Sequence, residues 1–227
     1  MTVNNKQPYP SPGVSVSTVL YRRVARWAAV ALMLLCPPAH AGTGVVQLER
    51  FLQDVTSLKA SFEQSVLDPE HQSAIRSQGL FYLQRPGRFR WDYSEPEGQM
   101  ILADGRQIWH HDPELDQVSV QGQESALKGT PAMLLISGDP VASHFEVIDI
   151  GDRQSMGWVE LIPRDPESQF TRILLAFTAD TLRRMEMADK FGQVTRFQFY
   201  DIELNPPLAQ SLFYFRPGHG LDIFKSD

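Results

Sequence analysis

Hydrophobic residues between positions 48 and 62 recur at helical spacing. Apolar side chains stand at positions 48, 51, 52, 55, 58 and 62, which places them in one stripe along a helix. The pattern therefore predicts a helix over 48–62. A second, short helix is predicted at 130–138, because Thr130 can cap its first turn, Pro131 fits its start and Gly138 can end it.

Most of the remaining chain reads as antiparallel strands separated by turns. Turn signals such as Pro86-Gly87 and Asp104-Gly105 stand between short apolar runs, which is the pattern of hairpins. The predicted strands cover 79–85, 89–93, 100–103, 107–109, 117–120, 145–150, 157–162, 171–177, 183–188, 193–204 and 212–215. So many strands with two clear helices exclude a doubly wound parallel fold. Runs such as 80–83 and 197–200 are apolar on both faces, as expected of a sheet wrapped around an apolar interior.

The first 41 residues have the order of a secretory signal. Arg22, Arg23 and Arg26 precede an apolar run over 27–36, and Pro37-Pro38 and Ala39-His40-Ala41 follow it. The run is about half of the ~20 residues that a membrane span needs, and the small residues indicate cleavage after Ala41. We therefore expect residues 1–41 to be removed and residues 42–227 to form the mature domain. The arginine pair leaves the twin-arginine route open beside general export, and the long polar start leaves the start codon open.

Charge and cysteine content narrow the classes of function. The chain has 21 basic and 27 acidic residues, and loss of the first 41 residues, which hold four basic residues and no acid, takes the net charge from −6 to −10. A domain that acidic is unsuited to binding nucleic acid or anionic headgroups through charge, although lipid tails are neutral. Cys36 is the single cysteine, so the mature domain has no disulfide, thiol nucleophile or cysteine metal ligand.

Residues 79–135 carry the densest likeness to a known family. The string Gln84-Arg-Pro-Gly-Arg-Phe-Arg-Trp91, followed by Ala103-Asp-Gly-Arg-Gln-Ile-Trp109 and Thr130-Pro-Ala-Met-Leu-Leu135, resembles LolA, the family of carriers of outer-membrane lipoproteins. The likeness extends upstream through 55–64 and downstream to 212–217, and so covers essentially the whole mature chain.

The resemblance implies a mainly β fold with helices (α+β), in which an incomplete antiparallel β-barrel, a half-barrel, is closed by a helical lid around an apolar cavity. The two predicted helices would form the lid. It also implies a periplasmic protein that takes acylated lipoproteins from an inner-membrane ABC transporter and passes them to the outer-membrane receptor LolB, without catalysis or a cofactor. We expect a monomer, because a two-sided dimer would bury the mouth of the cavity.

Arg85 is the residue to which the resemblance assigns a latch on the lid. In the family this arginine bonds backbone carbonyls of the lid, which here would lie near Leu52, Ile136 and Ser137. Helix-end carbonyls lack internal partners, and a guanidinium offers five donors. The latch would be worth ~1.5–3 kcal/mol, which burial of a few methylenes at ~0.8 kcal/mol each outweighs. The lid should therefore be closed when empty and displaced when loaded.

Five further residues are expected to contact acyl chains in the cavity. Phe89 and Trp91 match the aromatic pair of the family, and Tyr93 shares their face because side chains alternate along a strand. Ordinary core packing is the alternative for these aromatic residues. Leu134 and Leu135, from the second helix, complete the set.

Other functions on the same fold differ in what they require. A sensor of mislocalised lipoproteins usually has a second domain, for which this chain has no room, and a further alternative is a simple lipid-binding protein. A lipid-modifying enzyme would need a nucleophile and a base at the mouth, and no such motif is present. A membrane-anchored receptor like LolB would depend on lipidation of Cys36, before which Leu35 stands in place of the required small residue.

The run His110-His111-Asp112 has the composition of a metal site but not the geometry. Adjacent side chains on a strand point to opposite faces, so the two imidazoles cannot easily share one ion. We therefore expect no metal there, and we expect Asp112, Glu114 and Asp116 to form a polar rim.

Overall fold

The computed structural model describes residues 1, 44–68, 74–136, 138–218 and 220–226. Apart from Met1, the predicted export signal with Cys36 and Ala41 lies outside the described residues, and so does Ser137. Four α-helices fall in the described ranges, namely α1 Gly44–Asp54, α2 Gln123–Leu127, α3 Pro131–Ile136 and α4 Val141–His144. None of them is long and apolar enough to cross a membrane.

The strands in the described ranges form one open sheet. They are β1 Ser57–Leu67, β2 Ala74–Gln84, β3 Arg88–Glu95, β4 Met100–Asp104, β5 Gln107–Asp112, β6 Gln117–Gly122, β7 Phe145–Arg153, β8 Met156–Pro163, β9 Phe170–Thr178, β10 Thr181–Asp189, β11 Val194–Leu204 and β12 Asp222–Ser226. Their order is β12-β6-β5-β4-β3-β2-β1-β11-β10-β9-β8-β7, with only the β12–β6 pair parallel. Since β12 and β7 stand at opposite ends of this order, the prediction of a mainly β, incomplete barrel is confirmed.

One face of the sheet, here called the inner face, carries the main core. Alternate residues of β1 (Leu58, Ala60 and Phe62) are buried on it, as are Phe89 and Trp91 of β3. Helix α1 covers the β7–β9 side of this face, where its Phe51 is 1% exposed and stacks on Phe177 at a ring distance of 5.7 Å. The close fit of α1 fixes it against the sheet.

The opposite, outer face is partly covered by the chain after β11. A 3₁₀ helix at Gln210–Phe213 packs Phe213 against Met100 and Leu102 in a second apolar cluster. This segment explains why strands β4 and β5 are apolar on both faces.

The first predicted helix is too long. Helix α1 ends at Asp54, and 57–67 is the central strand β1, which the sequence pattern assigned to the helix. Leu58 and Phe62 are four residues apart, a spacing that fits one face of a helix and one face of a strand equally well. The chain turns at the end of α1, where the Asn205 amide donates to the Asp54 carbonyl at 3.0 Å and accepts from the Thr56 amide at 2.8 Å.

The last predicted strand, at 212–215, is also wrong. The segment forms the end of the 3₁₀ helix and an extended connection, and the last strand is β12, ten residues further on. Leu212, Phe213 and Phe215 do not alternate as a strand requires, because all three pack against the outer face. Helices α2 and α4 and the start of β2 at Ala74 are further elements that the sequence pattern did not predict.

Gly79 brings β2 and β3 unusually close. A Cβ at this position would lie 1.9 Å from the Asp92 carbonyl oxygen and 3.0 Å from the Phe62 ring, and the pairing of β2 with β3 shifts register beside it. A side chain here would displace β3, the strand that carries Phe89, Trp91 and Tyr93.

Replacing Gly79 with alanine should lower the free energy of unfolding by about 1–3 kcal/mol, the usual cost of overpacking. Urea unfolding measures the change. Gly98→Ala is the matched control, because nothing lies within 4 Å of a Cβ there, and it should change the stability by less than about 0.5 kcal/mol. Equal stability of the two variants would contradict the close approach of the strands.

Candidate functional site

An apolar cavity of about 250 Å³ lies between the inner face of the sheet and the helices α2 and α3. Its walls come from the two halves of the sheet and from the helices. The lining residues are Phe81, Phe89, Trp91, Tyr93, Ile101, Ile108, Gln121, Ala126, Leu127, Thr130, Pro131, Ala132, Leu135, Phe170, Met185, Met187 and Phe197. Nearly all of these side chains are apolar, so the cavity suits a hydrocarbon and offers little to a polar ligand.

Four of the five predicted cavity residues line this space. Phe89, Trp91 and Tyr93 do so from β3, and Leu135 does so from α3. Leu134 does not line the cavity and is instead part of the buried core. Successive residues on a helix are about 100° apart, so Leu134 and Leu135 face different surroundings.

Trp91 stands at the centre of a rigid aromatic floor. Its ring centroid lies 4.2 Å from that of Phe81, 4.7 Å from that of Phe62 and 4.9 Å from that of Phe197. Aromatic contacts of this kind add about 0.5–1.5 kcal/mol each beyond area burial. The floor of the cavity therefore resists deformation, and adjustment to a larger occupant falls to the helices.

Arg85 joins α1, α3 and the end of β2. Its Nε donates to the Leu135 carbonyl at 2.7 Å, and its Nη1 donates to the carbonyls of Phe51 at 3.1 Å and Leu52 at 3.2 Å. Nη1 also contacts the Val55 carbonyl, and the guanidinium lies over the Phe51 ring at 5.2 Å. One side chain thus donates to carbonyls at the C-terminal ends of two helices, where most carbonyls lack an intrahelical partner, although that of Phe51 also accepts from the Val55 amide at 3.2 Å.

The acceptors of Arg85 differ in part from those predicted. Leu52 is one of them, but on α3 the acceptor is Leu135, one residue before the predicted Ile136. The Ile136 carbonyl instead accepts from the Gly87 amide at 3.1 Å, because the turn between β2 and β3 comes within reach of the helix end. Ser137 lies outside the described residues.

The environment of Arg85 makes these bonds strong but incomplete. Burial lowers the pKa of Arg85 to about 10, so the side chain stays charged at neutral pH and depends on the carbonyls for the solvation it has lost. Its Nη2 is buried and has no partner in the described part of the chain. An unsatisfied buried donor costs about 1–3 kcal/mol, which reduces the net free energy that holds the helices closed.

The connection between α2 and α3 is tied to the loop before β9. The buried Ser168 hydroxyl donates to the Gly129 carbonyl at 3.0 Å, and Lys128 pairs with Asp165 at 3.0 Å. Gly129 has φ +71°, and a Cβ on it would lie 2.9 Å from that of Ser168. The segment therefore bridges the two halves of the sheet over the cavity.

Gln123 is a positioning residue that the sequence did not single out. Its side chain donates to the Gly87 carbonyl at 2.8 Å and accepts from the Gly105 amide at 3.0 Å, and so holds two hairpin turns at the start of α2. A single glutamine beside a strand end gives no sequence signal for this role. The cavity residues Met185, Met187 and Phe197 on β10 and β11 do carry one, because they occupy inward positions on predicted strands.

The run His110-His111-Asp112 has roles within the fold. The His111 ring packs on Phe215 at 5.3 Å, and Asp112 accepts from the amides of Glu114 at 3.1 Å and Leu115 at 3.3 Å. Among the described residues, no group of three His, Cys, Asp or Glu side chains is placed to hold a metal ion.

A larger depression of about 750 Å³ is lined mainly by polar and charged side chains, including Glu63, Arg184 and Arg196. Glu63 and Arg184 both pair with Gln198 across the strands, so they lie on the outer face, whereas Gln64, Met185 and Phe197 of the inner face also line the depression. Because Met185 and Phe197 line the apolar cavity as well, the two spaces adjoin. The charges of the depression make it unsuitable for acyl chains.

A sequence model of one protein family identifies the family of this chain. The model for outer membrane lipoprotein carrier protein LolA matches residues 53–216. The chain belongs to the LolA family. It is 38% identical over 192 residues to the outer-membrane lipoprotein carrier protein of Nitrosospira multiformis, which covers 84% of this chain and 92% of that protein. It is also 38% identical over 196 residues to that of Dechloromonas aromatica, with 86% and 94% covered.

Among solved structures, a LolA superfamily protein from Nitrosomonas europaea is similar over 77% of this chain and 99% of its own, with 15% identity and a TM-score of 0.45.

Removing the Arg85 donors should loosen α3 of this LolA protein. In Arg85→Leu the amides of 132–136 should exchange with solvent about 10- to 100-fold faster, since charged hydrogen bonds worth about 1.5–3 kcal/mol are lost. Hydrogen exchange followed by mass spectrometry measures the rates. Arg76→Leu, at an exposed position of β2, is the control and should leave them unchanged. Unaltered α3 exchange in Arg85→Leu would show that packing alone holds the helix.

Tyr93 gives a separate test of burial at the cavity. Burial raises the pKa of Tyr93 to about 12, above the unfolded value of about 10. The stabilisation from this group is complete below pH 10 and is lost as the pH rises through 12.

The unfolding free energy of the wild type should thus fall more steeply between pH 10 and 12 than that of Tyr93→Phe, as chemical unfolding at each pH would measure. Tyr214→Phe, at a ring that is 61% exposed, should follow the wild type. Parallel curves for Tyr93→Phe and the wild type would place Tyr93 in contact with water.

Proposed function

We propose that this protein carries the acyl chains of lipoproteins through the periplasm, from an inner-membrane ABC transporter to LolB or an equivalent outer-membrane receptor. The observation that carries the proposal is an apolar cavity whose helical cover is bonded at one end by the partly buried Arg85. The relatives named outer-membrane lipoprotein carrier proteins, at 38% identity, support the same function.

The size of the cavity implies movement of its cover. An apolar cavity of about 150 Å³ holds one benzene-sized molecule, so the 250 Å³ here has room for only part of one long acyl chain. A lipoprotein has two or three such chains. Loading therefore requires α3 to leave its closed position, and the residues that hold α3 are those that cargo must displace.

The free energies favour release of the latch by cargo. Each methylene buried contributes about 0.8 kcal/mol, so about four methylenes equal the upper value of a charged hydrogen bond, roughly 3 kcal/mol. Long acyl chains exceed that several times over. Transfer in this scheme breaks no covalent bond, and so the function requires no catalytic residue and no cofactor.

We assign residues 1–41 to an export signal and residues 42–227 to the carrier domain, which we expect to act as a monomer. The negative charge of that domain, −10, would favour docking on basic surfaces of the transporter and the receptor.

Native mass spectrometry of the secreted protein with a triacylated lipoprotein tests the proposal. The wild type should form a one-to-one complex and release the lipoprotein to LolB. Arg85→Leu should also bind, because an open cavity is accessible, but should hand over less to the receptor, since the latch that favours the empty state is lost. Arg76→Leu serves as the control. Retention of free lipid without any acylated protein would contradict the carrier function.

A further inference from the structure

The cavity is most open at the end that lies away from Arg85. Along β3 the side chains facing the cavity change from buried Phe89 and Trp91 to partly exposed Tyr93. Strand β1 shows the same change from buried Phe62 to partly exposed Gln64, and β10 shows it from Met185 to Met187. Since β1 and β3 both begin beside Arg85, Tyr93 stands five residues along β3, or about 16 Å from the latch.

A polar pair stands at this open end. The Tyr93 hydroxyl donates to Gln64 Oε1 at 2.8 Å, and Tyr93 itself lines the cavity. Gln64 continues the inner-face positions of β1, which are Leu58, Ala60 and Phe62 before it. Gln64 thus occupies an inner-face position of β1 at which the preceding inner-face residues are apolar.

The hydrogen bond from Tyr93 orients the amide of Gln64. Because Oε1 accepts from the phenol, both N–H groups of Nε2 remain as donors. Because the Tyr93 phenol stays protonated up to high pH, it remains a hydrogen-bond donor to Gln64 and does not become an anionic acceptor. The open end therefore presents hydrogen-bond donors next to an apolar interior.

The chemistry of an acylated cysteine matches this arrangement. Its acyl chains are hydrocarbon, but each chain begins at an ester or amide carbonyl, which accepts hydrogen bonds and donates none. When the acyl chains are buried in the cavity, these carbonyls lie at its open end, between the hydrocarbon chains and the polypeptide of the lipoprotein outside.

We propose that the Gln64–Tyr93 pair is a binding site for the ester or amide carbonyls at the root of the acyl chains, with Gln64 as the donor. This inference rests on the proposed carrier function.

Ester and ether forms of one lipopeptide test the site. The probes are a dipalmitoylglyceryl-cysteine peptide and its dihexadecyl ether counterpart, which lacks the two carbonyl oxygens. The secreted wild type should bind the ester form about fivefold more tightly, the worth of one neutral hydrogen bond. Equal affinities would overturn the inference and leave the pair a structural one. Failure to bind either form would instead contradict the carrier function itself.

Gln64→Glu is the decisive variant, because a carboxylate still accepts from Tyr93 but has no N–H donor. Its ratio of ester to ether affinity should fall to about one, and so should that of Gln64→Leu. Tyr93→Phe, which leaves the amide unoriented, should reduce the ratio to about twofold. Gln198→Leu, at an exposed position of β11, is the control and should keep the full ratio. An unchanged ratio in Gln64→Glu would overturn the role of the amide.

Phospholipids carry the same carbonyls, so diacyl and dialkyl phosphatidylglycerol form a second pair of probes. A preference for the ester in the lipopeptide pair, whether or not the phospholipid pair shows it, supports the site for lipoproteins. A preference confined to the phospholipid pair would overturn it.

Discussion

The closed state of this protein depends on one partly buried cation, Arg85, and the helix-end carbonyls around it. Arg85 bonds to the carbonyls of Phe51, Leu52 and Leu135, and so joins the ends of α1 and α3 at the end of the central strand β2. The interaction is strong enough to define a closed state, since helix-end carbonyls carry partial negative charge. It is also weak enough to yield, because desolvation and an unpaired Nη2 offset much of the gain.

The sheet and α1 form the fixed part of the structure, and the α2–α3 segment is the part that we expect to move. The aromatic floor around Trp91 and the seat of α1 on β7–β9 are tightly packed and hold the shape of the half-barrel. The α2–α3 segment is held by polar contacts of Gln123, Ser168 and Arg85 and also by the burial of its leucines Leu127, Leu134 and Leu135. The polar contacts are exchanged for others at low cost, and acyl chains that enter the cavity would replace the sheet as the apolar partners of these leucines.

The sequence predicted the antiparallel sheet and the cavity residues of β3 because both follow from alternation along strands. Phe89, Trp91 and Tyr93 share a face at a spacing of two, and that face is the one turned to the cavity. Prediction was wrong where two periodicities coincide, as at Leu58 and Phe62, or where neither applies, as in the chain after β11. The acceptor on α3 was displaced by one residue, from Ile136 to Leu135, because a helix end is set by local contacts such as that with Gly87. Gln123 and Ser168 had no pattern to reveal them, since each acts through a partner that is distant in sequence.

The central claim is that cargo displaces α3 from the sheet. Spin labels on cysteines introduced at Met133 on α3 and at Glu63, an exposed position on β1, would report the distance between helix and sheet by electron–electron double resonance, since residues 42–227 have no cysteine of their own. We expect one short distance for the empty protein and a longer, broader distribution of distances when a triacylated lipopeptide is bound. An unchanged or shorter distance in the loaded protein would contradict the claim, because the cargo would then be held under a lid that stays closed.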